Sequence, residues 1–477
     1  MERPPPEYLR DASHFKGEAE EIAFPDGEEE IVRLVERANE KKIPLTVAGA
    51  GTGLTGARVP QGGMVLSTER LNRILKVEWN DSAQEGCVTV QPAVTLKELE
   101  EALDPKGLFY PPDPGEKKAT IGGTVATNAS GARSFKYGPT RRHVKRLRII
   151  LPTGDLLDLR RGQAQAKGGT CRLTLPNGRE IQIRIPTYSM PPVKNAAGYY
   201  ARPEMDLLDL FIGSEGTLGI FTEIELAILK RPQALLAGIL FFDSEEEAFR
   251  FSEAARQEPA LHPRALEFFD SRSLKLLSRR YPDIPPKAAG AIFLAEEGAR
   301  EASHWIRLMD RFQGLVPEPW ISSDPKDHQL YRELRYSLPV LVNEQAKQNG
   351  FRKLGTDLAV PEASAKGMFD FYLKLLPASG IDFCLFGHIG DHHLHANLLP
   401  RTAEEFERSK GLYDQMARKA LELGGTISAE HGIGKVRIPY LEWMVGRRGV
   451  KEMALVKRAL DPNGILNRGN IIPLELL

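Results

Sequence analysis

Residues 109–138, FYPPDPGEKKATIGGTVATNASGARSFKYG, decide the fold. Pro111-Pro112-Asp113-Pro114 holds one segment extended, because each prolyl ring pins its own φ and biases the residue before it away from the helical region. Beyond it, Gly122-Gly123 with Thr120, Thr124, Thr127, Asn128 and Ser130 form a run without bulky side chains, against which something large can lie. Two more small-residue loops occur far away in sequence, VAGAGTGLTG at 47–56 and FIGSEGTLGI at 211–220. Ordering three such loops costs conformational entropy that convergence on one ligand would offset.

The first loop imitates a dinucleotide fingerprint. Gly51, Gly53 and Gly56 satisfy GxGxxG after a predicted strand, but Pro60, Gly62 and Gly63 follow where a helix should open, and no acidic ribose-binding residue closes a second strand. No Gly-Lys-Ser/Thr follows, so it is not a P-loop. Its backbone N–H groups can still cradle a pyrophosphate without a helix dipole; the alternative is a glycine-rich turn with no ligand.

Around these loops the chain reads as α+β. Asp26 is expected to cap a helix with Ile31, Leu34, Val35 and Ala38 on one face and Glu28 to Glu30 in its first turn, ending before Pro44. Strands are expected at Met64–Ser67 and Val88–Val90. LRIILPTGDLLDL and IQIRI read as a hairpin, DLLDLFIG as helix and IFTEIELAIL as strand. A boundary falls near Arg231-Pro232, giving domains 1–232 and 233–477. The second domain's strand and helix alternation, with a helix around Glu245–Gln257, predicts an antiparallel sheet.

Composition narrows the class of function. A chain of 477 residues with 42% hydrophobic side chains needs more than one core. Lys+Arg 64 against Asp+Glu 64 argues against nucleic acid or an anionic membrane as the main partner and for a small molecule. Cys87, Cys171 and Cys384 are far apart, so neither a disulfide framework nor an iron–sulfur cluster is expected. The acidic N-terminus lacks a signal-peptide core and no apolar run spans a bilayer, so a cytoplasmic location is expected.

Two segments carry chemistry: IDFCLFGHIGDHHLHAN at 381–397 and GGTISAEHGIGK at 424–435 hold five of the ten histidines beside acidic groups. Strand alternation puts His393, His395 and Asn397 on one face and Leu394, Ala396 and Leu398 on the other, with His388 in the entering turn. Imidazoles clustered with Glu430 and His431 suit a divalent metal plus a proton-transferring base.

In order, VAGAGTGLTG, YPPDP…TIGGTVATNASGARSFKYGPTR, FIGSEGTLGIFTE, GHIGDHHLH, TISAEHGIGK and DPNGILNRGNIIP resemble the motifs of the FAD-linked oxidases of the vanillyl-alcohol oxidase/p-cresol methylhydroxylase superfamily. The resemblance spans roughly residues 10–474 and is greatest to the D-2-hydroxyacid dehydrogenase branch, which includes D-lactate, D-2-hydroxyglutarate and glycolate-oxidising flavoproteins. It implies an N-terminal vanillyl-alcohol-oxidase-type FAD-binding domain, an antiparallel-sheet substrate (cap) domain, and a C-terminal segment that returns to the flavin.

By that resemblance Gly49, Gly51, Thr52 and Gly53 hold the FAD pyrophosphate. Pro112, Gly122, Gly123, Thr127, Ser130 and Ile220 add contacts, and Asn467 returns to the flavin ring. The family's Arg-Gly-Gly-Gly-Thr-Ser is replaced by Ala48-Gly49-Ala50-Gly51-Thr52-Gly53, and its Asn-Pro-Gly-Lys by Asn467-Arg468-Gly469-Asn470. The first loop has no histidine for covalent attachment, so the FAD is expected to be non-covalent. His388, His395 and Glu430 match metal ligands, a zinc set with manganese as an alternative. His431 matches the base. Arg335 and, less well, Lys353 are candidates for the substrate carboxylate. Where the family has Gly-Asn this chain has His392-His393, whose role stays open.

The implied reaction is oxidation of a D-2-hydroxy acid to the 2-oxo acid with hydride to flavin N5. The electron acceptor is left among an iron–sulfur protein, a cytochrome and a quinone, and a homodimer is compatible. Two other readings remain: a flavoprotein subunit whose partner carries the chemistry, and an alkyl-dihydroxyacetone-phosphate synthase, which has three histidines where this chain has Ala429-Glu430-His431.

Overall fold

The computed structural model describes residues 2–175, 177–298, 302–316 and 319–477. Its first half holds a parallel sheet of Glu21–Ala23, Met64–Ser67 and Leu45–Ala48 in that spatial order. Beside it lies an antiparallel sheet ordered Ile74–Asn80, Glu85–Val90, Ile220–Lys230, Val144–Ile150, Leu156–Arg160. The expected helix runs Glu28–Lys41 and buries Ile31, Val35 and Ala38 against the parallel sheet, with Leu34 half-buried. Gly27, not Asp26, occupies the N-cap; no side chain caps the helix, and Glu30 instead reaches back to the Asp26 N–H at 3.1 Å. IQIRI belongs to a separate hairpin, Thr170–Thr174 with Glu180–Arg184, because Val144–Ile150 is already paired on both edges.

The second half is an antiparallel sheet ordered Trp320–Ser322, Leu235–Phe242, Gly290–Glu297, Pro263–Asp270, Phe383–His388, His393–Leu398, Leu354–Gly355, with Leu358–Ala359 also on His393–Leu398. The expected helix there is Glu245–Gln257, capped by Ser244. After the helix Ile438–Leu460 the chain returns to the first half: Leu466 bridges Leu45, and Ile465 and Leu466 enter the core built on Ile31 and Val35. That return carries Asn467 among the glycine loops.

Candidate functional site

The hairpin Phe383–His388/His393–Leu398 pairs His388 with His393 and Phe386 with His395. His388, expected in the turn, is the last residue of its strand, because the ladder runs to the very end of the hairpin. His392 adopts φ 50 and turns away to Glu253 Oε1, 2.9 Å from its Nε2. Alternation leaves His393 and His395 on the same side as His388, where ligand atoms of His388, His393, His395 and Glu430 all lie within 4.8 Å of one another.

The orientation of each ring follows from its outer partner. His388 Nδ1 is 2.6 Å from Glu267 Oε1 and His395 Nδ1 is 2.9 Å from the Thr356 carbonyl, so with both rings neutral, as ligation requires, the proton belongs on Nδ1 and the lone pair on Nε2. Against burial, Glu267 and Glu430 raise the His388 pKa, so without a cation that ring holds a second proton more readily. Those two lone pairs face Glu430, whose oxygens lie 3.3 Å from each Nε2. Acceptors that converge on acceptors fit a cation between them, and two imidazoles with a carboxylate are a donor set that suits zinc or manganese. His393 sits nearby with Nε2 3.1 Å from Asp357 Oδ1, and among the described residues neither of its buried ring nitrogens has an aligned hydrogen bond. Burial, with His395 beside it, pushes its pKa down to about 3, which keeps the ring neutral.

Two buried carboxylates hold the remaining groups. Asp357 accepts the backbone N–H groups of Glu430 at 3.2 Å and His431 at 3.0 Å, and Arg437 Nη1 donates to it at 2.5 Å. Burial alone would raise its pKa, but His431 and Arg437 hold it well below the carboxylate range. Its Oδ2 is 3.2 Å from His431 Nδ1, whereas Arg437 Nη2 is 3.5 Å from the same nitrogen. The carboxylate is the nearer group, and a neutral ring with its proton on Nδ1 toward Asp357 has Nε2 free to accept a proton. Glu430 is likewise kept ionised against burial by Lys194, whose Nζ donates to it at 2.9 Å, and by His388.

Arg335 is spent partly on Glu267: its Nε and Nη2 donate to Oε2 at 3.0 and 2.8 Å. Opposing its burial, Arg335 and His388 pull Glu267 down to about 2. Lys353 donates to Asn397 Oδ1 at 3.0 Å, and burial lowers its pKa to about 8.

The three glycine-rich loops meet, as their composition implies. A Cβ on Gly49 would lie 3.0 Å from Thr120 Oγ1. The N–H groups of Gly213 and Glu215 donate to Val125 and Ala126 at 2.9 and 2.8 Å. Asn467 stitches the junction, accepting from Val47 N–H at 2.8 Å and donating to the Glu215 carbonyl at 3.0 Å. Thr120 Oγ1 accepts the Gly123 N–H and Thr127 Oγ1 donates to the Gly123 carbonyl, closing the helix Ile121–Ala126 on itself. Gly122 packs on Pro92, and Pro112 and Ile220 are buried. Buried hydroxyls of Ser130 and Ser214 have no protein partner among the described residues, which fits acceptors or donors of a bound flavin nucleotide.

Glu215 joins this cradle to the cluster. Its carboxylate accepts the N–H groups of Ile433 and Gly434 at 2.6 and 2.7 Å, two and three residues after His431. Sequence reasoning missed Glu215, Glu267, Asp357, Lys194 and Arg437. The available signal was a single charged residue inside an apolar stretch, as in ALEFF and PVKNAAGYY.

A flavin-nucleotide cradle joined to an imidazole and carboxylate cluster on an antiparallel sheet defines a flavin-dependent oxidoreductase. The chain belongs to the FAD-linked oxidases: residues 19–160 match the family model described as FAD binding domain, and residues 231–471 the one described as FAD linked oxidases, C-terminal domain. It is 31% identical to the glycolate oxidase subunit GlcD of Bacillus subtilis, covering 97% of this chain and 91% of that one. It is 32% identical to a D-lactate dehydrogenase of Anaerostipes hadrus over 96% and 91% of the two chains. A D-2-hydroxyglutarate dehydrogenase of Stutzerimonas stutzeri is 29% identical over 96% and 92%. A solved alkyldihydroxyacetonephosphate synthase shares the fold with TM-score 0.62 at 20% identity, over 94% of this chain and 75% of that one. Among the described residues no helix is long and apolar enough to cross a membrane.

Proposed function

We propose that the chain oxidises a D-2-hydroxy acid of the D-lactate, glycolate or D-2-hydroxyglutarate type to its 2-oxo acid, using non-covalent FAD held by domain 1–232 and a metal held by His388, His395 and Glu430 of domain 233–477. The observation that carries this reading is the pair of Nε2 atoms of His388 and His395 turned onto Glu430, 3.3 Å from each. When bound, FAD accepts the electron pair and a zinc or manganese ion favours loss of the substrate's hydroxyl proton. His431 Nε2, made an acceptor by Asp357, takes that proton. Arg335 has five N–H groups, of which Glu267 uses Nε and one on Nη2, leaving others for a substrate carboxylate. Gly49, Gly51, Thr52, Gly53, Pro112, Gly122, Gly123, Thr127, Ser130, Ile220 and Asn467 are assigned to FAD. The names of the relatives support a hydroxy acid as substrate, and the subunit in Bacillus subtilis supports a partner protein as electron acceptor. Cys87, Cys171 and Cys384 are all unpaired, which suits a reducing compartment such as the cytoplasm.

The deciding measurement is anaerobic bleaching of the flavin by D- and L-2-hydroxy acids and by simple primary alcohols, before and after chelation. D-2-hydroxy acids should bleach it in a chelator-sensitive manner. Equal bleaching by primary alcohols, or indifference to chelation in a protein shown to hold no metal, rejects the reading.

A further inference from the structure

The glycine loop has an asymmetry in how it spends its peptide groups. Its carbonyls point into the protein: Ala48 O accepts the Thr68 N–H at 3.1 Å, Gly51 O accepts the Ala12 N–H at 3.1 Å, and Gly49 O accepts Arg58 Nη1. Among the described residues, none of the N–H groups of Gly49, Ala50, Gly51, Thr52 and Gly53 donates to a protein acceptor. All peptides here are trans, so each anchored carbonyl aims the N–H of the next residue the opposite way. Gly49, Ala50 and Thr52 therefore turn their N–H groups away from the groups that hold those carbonyls, which leaves them free to donate to an anion.

Arg58 is the only charged residue between Lys42 and Glu69. Its guanidinium is laid flat behind the loop: a Cβ on Gly51, whose φ is +75, would lie 2.7 Å from Arg58 Cζ. Nη1 and Nη2 bond the carbonyls of Gly49 and Glu7, the ring of Tyr8 lies 5.2 Å from Cζ, and Nε is buried with no partner among the described residues. Among the described residues no carboxylate hydrogen-bonds this guanidinium. A cation bonded to a peptide carbonyl polarises that peptide and strengthens its N–H as a donor.

Resting on the FAD reading, we propose that Arg58 is the positioning residue for the FAD diphosphate: it supplies the positive charge behind the glycine loop and, through the Gly49 carbonyl, aims and polarises the Ala50 N–H that meets the phosphates. Gly51 is needed as glycine because the guanidinium occupies the place of a side chain.

The test is fluorescence titration of the apoprotein with FAD and with riboflavin, which lacks phosphate, for wild type, Arg58→Met and Arg58→Lys at several salt concentrations. Loss of one charge-assisted bond should weaken FAD by about 10- to 100-fold in Arg58→Met. Riboflavin affinity should stay at the wild-type value, the salt dependence of FAD binding should flatten, and Arg58→Lys should recover part of the loss. Equal losses for FAD and riboflavin, or a salt dependence unchanged in Arg58→Met, overturns the proposal and makes Arg58 a brace for the N-terminal segment. Should Arg58→Met fail to fold, FAD binding in Arg58→Lys that is as salt-independent as riboflavin binding overturns it equally. A wild-type apoprotein that takes up no FAD overturns the FAD reading together with it.

Discussion

The cradle and the cluster recognise by opposite means. Around Gly49–Gly53, Gly122–Gly123 and Gly213–Ile220 the contacts are peptide groups and missing side chains, so what matters there is volume and the direction of N–H bonds. Around Glu430 the contacts are titratable side chains packed where water is scarce, each needing an opposite charge or a donor at about 3 Å. A ligand held by backbone tolerates many side-chain exchanges that preserve size, whereas a buried charge network fails when any one member is removed. Glu215 is where the two regimes touch, a titratable group that among the described residues bonds only peptide N–H groups.

The comparison breaks most visibly at His431. His431→Ala should keep metal and FAD while flavin reduction falls on the order of 10²–10⁴-fold, the usual effect of removing a general base. His388→Ala or His395→Ala should lose the metal and the activity together. Elemental analysis beside stopped-flow reduction separates them; metal loss in His431→Ala would place that ring among the ligands.

The imidazoles and the carboxylate of the cluster were legible because they lie in two short segments, and strand alternation put His393 and His395 on one face, as the structure has them. Their partners were not. Glu267, Asp357 and Lys194 come from elements far apart in sequence, and whether a charge in an apolar stretch points inward depends on sheet order, which local pattern does not contain. For the cradle, composition showed that three loops meet but not what ties them, since Asn467 and Glu215 act across 252 positions of chain. His392 and His393 show the same limit: one turn residue at φ 50 sends the first out to Glu253 and leaves the second inside.

Arg335 sharpens the contrast, because it can serve the substrate or the network. If it meets the substrate carboxylate directly, Arg335→Met should chiefly raise KM. If it acts through Glu267 and His388, the same change should weaken metal binding by about 10- to 100-fold, as loss of an outer partner of a metal ligand does. Metal titration and KM measured on one preparation decide between them.

Where the cradle packs against its own backbone, as at Gly122, size should count. A Cβ on Gly122 would lie 2.6 Å from Pro92 Cβ, so Gly122→Val should cost about 1–3 kcal/mol of stability by overpacking and weaken FAD with it. Gly27, with nothing within 4 Å of its Cβ position and an extended backbone, is the control. Gly27→Ala should leave FAD affinity at wild type and lower the melting temperature only by what a poorer N-cap costs, about 1 kcal/mol or less. Equal melting temperatures for the two variants would remove close packing as the reason for glycine at 122.

The smallest expected effect concerns the group shared by both regions. Burial pushes the Glu215 carboxyl up to about 7, against the pull of the Ile433 and Gly434 N–H groups. In the unfolded chain the same carboxyl titrates near about 4.3. The folded state therefore holds the proton over a window in which the unfolded state has released it. A raised carboxyl of this kind contributes stability that is fully present below the unfolded value and is lost as pH rises through about 7. Glu215→Gln has no proton to lose, so the urea midpoint of the variant should fall less than that of wild type between roughly pH 4.3 and 7. The difference between the two profiles isolates this one group, since every other titrating residue is common to both. Parallel profiles across the window would mean that the two N–H bonds fully offset burial, and that Glu215 joins cradle to cluster as a permanent anion.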